Sequence, residues 1–206
     1  MGQVQDIIRT GRKFDQVVNG ARDIFMAVGF ERASVDDIAR AAGVSKATLY
    51  SYFPDKQLLF MEVVRCECKR HAGDIEDLVE AGLAVDEALS VAAERILSII
   101  LSDFSQRVFR ICVAEADRFP ELGRQFYENG PLVVRGQLSA YLQKAVAAGE
   151  LHIDDFDLAA DQFAELCRAD LFPRLVFGID KSFEKEEIQR VIVGAVDMFL
   201  ARYGQR

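Results

Sequence analysis

One stretch limits the possible folds more than any other. Residues 34–56 read SVDDIARAAGVSKATLYSYFPDK, and the spacing of capping, small and apolar residues in it is that of a helix-turn-helix. Ser34, with Asp37 three residues on, is a capping-box variant that opens a helix. Ala39 is small where two helices must cross closely. Gly43, four residues later, can take a positive φ at the turn without a Cβ penalty. Val44 is the apolar plug beneath the turn, and Ser45 can cap the second helix. Ile38 and Leu49 point inward and hold the two helices together. Lys46, Ala47, Thr48, Tyr50 and Tyr52 are left for the outer face. The second helix of such a motif lies in the major groove of DNA.

Helical periodicity continues on both sides. Phe14, Val17, Val18, Ala21, Phe25 and Val28 share one helix face, and Gly29 is a C-terminal stop. A long helix starts near Lys56, after Pro54-Asp55. Five more are expected beyond it. They run over 86–104, over 106–116, over 120–149 with a bend at Gly130-Pro131, from Asp154-Asp155 to about Val176, and from a Ser182 cap to the end. Pro173 should strain the last turns of the fourth. No strand-like alternation interrupts the pattern, so the fold class is all-α.

Charge is unevenly spread. The chain carries a net −8, yet residues 1–56 hold eight basic against seven acidic side chains. An acidic total argues against a nucleic-acid binder, whereas a near-neutral head still permits a local cationic face. The longest apolar runs, such as Ile99–Leu101, fall far short of the ~18 residues a membrane span needs. The opening residues show no leader-length apolar stretch. A cytoplasmic location is expected, with no membrane contact.

Catalytic and metal signatures are missing. Cys66 and Cys68 stand two apart on a helix and point away from each other, so they cannot chelate one metal alone. His71 and His152 are isolated, and no zinc, phosphate-loop or nucleophile-elbow spacing occurs. The expectation is a protein that is not an enzyme and carries no metal or cofactor.

The segment resembles the TetR/AcrR family of one-component transcriptional regulators. The resemblance rests on Gly29-Phe30, Ser34-Val35, Ile38-Ala39, Ala42-Gly43-Val44-Ser45, Thr48-Leu49-Tyr50, Tyr52-Phe53, Lys56 and Leu58-Leu59 at fixed spacing. Residues 113–122, with Phe126-Tyr127-Glu128 and Gly130-Pro131, look like a C-terminal subgroup linked to efflux control. The resemblance implies a three-helix DNA-binding domain over 1–56 and a helical ligand-binding and dimerisation domain over 57–206. It also implies a homodimeric repressor on a partly palindromic operator, released by a small lipophilic effector.

By that resemblance Tyr50, Tyr52, Lys56 and Ser34 meet phosphates, with Ser45 at the cap. Lys46, Ala47 and Thr48 sit where base edges are read. Arg12 and Lys13, placed just before the first helix, add phosphate contacts. Phe104, Phe109, Cys112, Tyr141, Phe163 and Cys167 are the candidate effector lining, with Arg110 and Gln137 as polar anchors. Leu166, Leu171, Val191, Ala195 and Phe199 are the candidate dimer face. Two rivals use the same helices differently: a small-molecule carrier without DNA binding, and a helical-bundle enzyme using Glu and His.

Overall fold

The computed structural model describes residues 11–72 and 83–205, with backbone alone for 68–72. Among these residues the secondary structure is helical, apart from an isolated antiparallel bridge between Leu151 and Gly204. The helices are α1 Arg12–Val28, α2 Val35–Ala42, α3 Lys46–Tyr52, α4 Lys56–Ala72, α5 Val85–Ile100, α6 Asp103–Ala114, α7 Pro120–Asn129, α8 Pro131–Ala147, α9 Phe156–Arg168, α10 Leu171–Val176 and α11 Lys185–Tyr203. The all-α class is as the periodicity implies. Among the described residues no helix is long and apolar enough to cross a membrane. The side chains of Cys68 and His71 lie outside the described residues.

The chain divides into two compact units. One holds Met1–Cys68 with Arg107–Phe126, the other Lys69–Gln106 with Tyr127–Arg206. The first is larger than the 1–56 segment because α4 and part of α6–α7 pack with it. Phe14, Val17, Val18, Ala21 and Phe25 form the buried face of α1. Phe25, Phe30 and Phe60 meet ring on ring at 5.1–5.8 Å. Phe119 reaches the same cluster, its ring centroid 6.0 Å from that of Phe30. Arg107 donates to the Met26 carbonyl, and Arg118 pairs with Glu31 at 2.7 Å. Gly20 marks the tightest approach in this unit: a Cβ there would lie 2.6 Å from the Ala42 backbone nitrogen. It is this glycine, in mid-helix, that lets α1 and α2 touch.

The second unit is built on α5, α8, α9 and α11. Ala88, Leu89, Ala92, Ala93, Ile96 and Leu97 of α5 meet Leu138, Leu142, Phe163, Ile192 and Phe199 in one core. Phe163 stands edge-on to Phe199 at 5.1 Å. The C-terminus is tied back, since His152 N–H donates to the Tyr203 carbonyl at 2.8 Å and Gln205 N–H to that of Glu150 at 3.1 Å.

Several helix limits differ from the periodicity. The first expected helix beyond α4 ends at Ile100, because Ser102 turns the chain and its hydroxyl accepts from Ser105 N–H. The bend at Gly130-Pro131 is a full break, with Pro131 at the first position of α8, where its missing N–H costs nothing. The helix expected to reach Val176 stops at Arg168. Asp170, at φ 65°, separates it from α10, and Pro173 then sits inside the unbonded first turn of α10. Ser182 is not the cap of the last helix. Glu184 is, and it forms a reciprocal capping box with Glu187.

Between α9 and α11, Arg174 organises the connection. Its guanidinium lies 2.7 Å from Asp180, 3.0 Å from Glu187 and 3.6 Å from Asp170, over the Phe183 ring. A second arginine, Arg190, also pairs with Asp170.

Candidate nucleic-acid interface

The motif is built by caps and one turn. Ser34 accepts from Asp37 N–H at 3.1 Å and donates to its carboxylate, and Arg40 binds the same carboxylate at 2.9 Å. The Ser34 hydroxyl, with Arg40, holds the Asp37 carboxyl below its ordinary value. Gly43 takes φ 64° and sends its N–H back to the α2 carbonyls, a left-handed cap that a Cβ would strain. Ser45 accepts from Thr48 N–H at 3.1 Å and opens α3. Ile38, Leu49 and Phe53 are buried and fix α3 against the unit's core.

The outer face of α3 is presented largely as the spacing implies. Lys46 and Ala47 are exposed, and Tyr50 is 49% exposed. Thr48 is half-buried, its hydroxyl 2.9 Å from that of Ser45. Tyr52 is also half-buried and stands edge-on to Phe14 at 5.9 Å. Arg12 and Lys13 are exposed, but they are the first residues of α1 rather than residues preceding it. Lys46 pairs with Asp36 of α2, a partner that the spacing of the motif does not disclose. The signal for it was an acid at the second position of α2, which reads equally well as helix-dipole complement.

Lys56 has a different employment from the one the resemblance assigns. Its ammonium donates to the carbonyls of Phe30, Glu31 and Ala33 at 2.8, 3.1 and 3.2 Å, and it lies 4.6 Å from the Phe30 ring centre. An ammonium has three donors, and here each has a carbonyl. The residue therefore shapes the α1–α2 loop and has no donor left for phosphate.

The candidate effector residues do not gather in one compact unit. Phe109, Arg110 and Cys112 belong to the first; Phe104, Gln137, Tyr141, Phe163 and Cys167 belong to the second. Phe163 and Cys167 are fully buried among core side chains. Burial pushes the Cys167 thiol and the Tyr141 phenol up to about 12. Cys112 is buried, its sulfur 3.7 Å from the Leu122 carbonyl.

Four of the five candidate dimer residues lie in the core. Leu171, Val191, Ala195 and Phe199 are buried within their own unit, each at 7% exposure or less. The 191-195-199 stripe is apolar because it seals α11 to α5 and α9, and of the three only Phe199, at 1% exposure, borders the open groove between α9 and α11. Leu166 is half-buried in an open groove between α9 and α11, beside Gln162, Glu165, Ala169, Met198, Arg202 and Tyr203. On α9 and α11 the exposed large apolar side chains are Leu158, Val193 and Met198, at 51%, 48% and 63% exposure. They are legible only as apolar residues out of phase with the core stripe.

Comparison with known proteins gives the same picture from outside. Residues 17–63 match the family model for bacterial regulatory proteins of the tetR family. Residues 87–205 match the AefR-like transcriptional repressor C-terminal domain. The flavonoid-responsive regulator FrrA is 39% identical, with 96% of this chain and 100% of that one covered at a TM-score of 0.79. A structure from Mesorhizobium loti MAFF303099, assigned to the same family, is 28% identical over 94% of this chain and 98% of its own, at 0.88. The HTH-type transcriptional regulator UidR of Escherichia coli K12 is 26% identical over 68% of this chain and 69% of that protein.

Proposed function

Because the chain belongs to the TetR family and is a DNA-binding transcriptional repressor, we propose that it holds its operator as a homodimer through α3 and lets go when an aromatic effector binds. Residues 1–56 carry DNA reading in this proposal, and 57–206 carry effector binding and dimerisation.

The observation that carries the reading is the outer face of α3: Lys46, Ala47 and Tyr50 stand exposed on a helix whose cap and buried Leu49 hold it rigid. A lysine at the helix start suits guanine O6 and N7, and Ala47 suits a thymine methyl. Tyr50, Arg12 and Lys13 position the helix by phosphate contact, with Thr48 and Tyr52 as half-buried supports. Two such helices related by two-fold symmetry meet half-sites about 34 Å apart or slightly more. The dimer face we assign is the outward side of α9 and α11, with Leu158, Leu166, Val193 and Met198.

The effector reading rests on the likeness to FrrA over nearly the whole chain. A planar phenolic compound of the flavonoid class suits an apolar site with few polar anchors. Phe104 and Gln137, half-buried in the second unit, are the residues retained for it. The protein acts where its DNA is, in the cytoplasm.

The test is selection of bound fragments from a genomic DNA pool at near-physiological salt, repeated with Lys46→Ala/Tyr50→Phe and with added flavonoids. A partial palindrome is expected with the wild type, lost in the double variant and released by a flavonoid. Enrichment that survives the double variant would sink the assignment of α3. Indifference to every flavonoid would sink the effector class alone.

A further inference from the structure

Lys46 begins the recognition helix, where a cation would bind any phosphate within reach. It does not stand alone. Its ammonium forms an ion pair with the Asp36 carboxylate across the α2–α3 turn, and the two side chains are 58% and 54% exposed. The neighbouring acid behaves differently. Asp37 is turned into α2, bound by Ser34 and Arg40, and serves as part of the helix cap. Asp36 makes no hydrogen bond in the cap, and its carboxylate is directed to a side chain on the outer face of α3.

As an element of stability this pair is negligible, since exposed ion pairs are nearly cancelled by solvent and side-chain entropy. Its consequence lies in DNA binding. Non-specific affinity comes almost wholly from cations neutralising phosphates. A phosphate that approaches Lys46 must also approach the Asp36 carboxylate, so the lysine gains less from it than an unpaired cation would, the two anions repelling each other. Acceptors on a base edge carry no full charge. Two of the three lysine donors can turn to guanine O6 and N7 while the third stays on Asp36.

We propose that Asp36 is a specificity-positioning residue, a carboxylate that keeps Lys46 off phosphates and so makes the recognition helix bind strongly only where the base edges match. The proposal goes beyond the repressor assignment, because it concerns how tightly the protein holds the wrong DNA. It also accounts for a near-neutral head on a DNA-binding protein: eight basic side chains in residues 1–56 face seven acidic ones, and Asp36 is placed where an acid most limits indiscriminate binding.

The experiment measures affinity of the full-length protein for two duplexes, the operator fragment recovered by selection and a random-sequence duplex of equal length, across a salt series. Asp36→Asn should tighten binding to the random duplex by about fivefold to tenfold near 0.1 M salt. It should steepen the log–log salt slope by about 0.9 for each subunit, the increment of one further phosphate contact. Operator affinity should rise less, so the ratio between the duplexes falls. Asp36→Glu should restore the ratio. In a Lys46→Ala background Asp36→Asn should have little left to change, because the two act as a pair.

An unchanged random-duplex affinity and slope for Asp36→Asn overturns the proposal. So does an equal gain in the Lys46→Ala background, which would make Asp36 a general repulsive charge. Loss of operator binding with the random duplex unaffected overturns it too, and would assign Asp36 to a base. Failure of the wild type to discriminate the two duplexes would instead refute the repressor assignment.

Discussion

The outer face of the α2–α3 motif and the outward side of the α9–α11 pair, to which we assign the dimer contact, are encoded in opposite ways. In the first, every outward residue sits within a turn or two of the cap that aims it. Ser45 fixes the start of α3, Leu49 fixes its buried side, and Lys46, Ala47 and Tyr50 follow by helical geometry. In the second, the outward face is what remains after α5, α8, α9 and α11 have packed together. Val191, Ala195 and Phe199 have the right spacing for an interface and are buried in the core, whereas Val193 and Met198 are exposed. A local motif aims its own side chains; a helix in a bundle is rotated by its neighbours.

The largest expected effect tests whether the 163–199 contact is core rather than surface. Phe163→Ala removes a ring with no exposure that meets Phe199 edge-on. It should destabilise the protein by about 3–5 kcal/mol in a denaturant titration. A loss under about 1 kcal/mol would mean that this face opens to a partner after all.

Next in size is a pair of glycines, one from each unit. Gly20→Ala forces a Cβ to 2.6 Å from the Ala42 backbone, and main chain cannot swing aside. A cost of about 2–3 kcal/mol is expected, at the upper end of overpacking changes. Gly136→Ala, on α8 with nothing within 4 Å of the added atom, should be neutral or stabilise by up to about 1 kcal/mol through helix propensity. Thermal melting of the two variants side by side reads the contrast, and equal effects would break it.

Met198→Glu places a charge on the outward face of α11, where the side chain is 63% exposed. Monomer stability should barely change. Self-association should weaken by about 30-fold or more, as for loss of a central interface residue, and operator affinity should fall with it. Sedimentation of the variant as an unaltered dimer would remove α11 from the interface.

The smallest effect sharpens the comparison within the motif itself. The Ser34 hydroxyl and Arg40 hold the Asp37 carboxyl below 3.8. A carboxyl whose folded value is depressed adds stability above the unfolded value, and that contribution is lost as pH falls through the folded one. Melting temperature should therefore decline below about pH 4, and the decline should be shallower in Asp37→Asn. Identical acid limbs would show that the cap is indifferent to its charge.

By itself the sequence determined the all-α class, the starts of α2, α3 and α4, both motif caps, the Gly43 turn and the exposed Lys46, Ala47 and Tyr50 of α3, though not the half-burial of Thr48 and Tyr52. Each depends on interactions spanning four residues or fewer, which a linear string displays directly. The tertiary structure alone decided four other matters. It set Lys56 beneath the carbonyls of residues 30, 31 and 33, and it joined Asp36 to Lys46. It split the helix expected over 154–176 at Asp170, where Arg174 and Arg190 converge. It also turned the apolar stripe of α11 inward. Apart from the i,i+4 pair of Arg174 with Asp170, these depend on groups roughly ten to about a hundred residues apart in the chain, and one side chain's spacing does not reveal which of several apolar or charged neighbours will claim it.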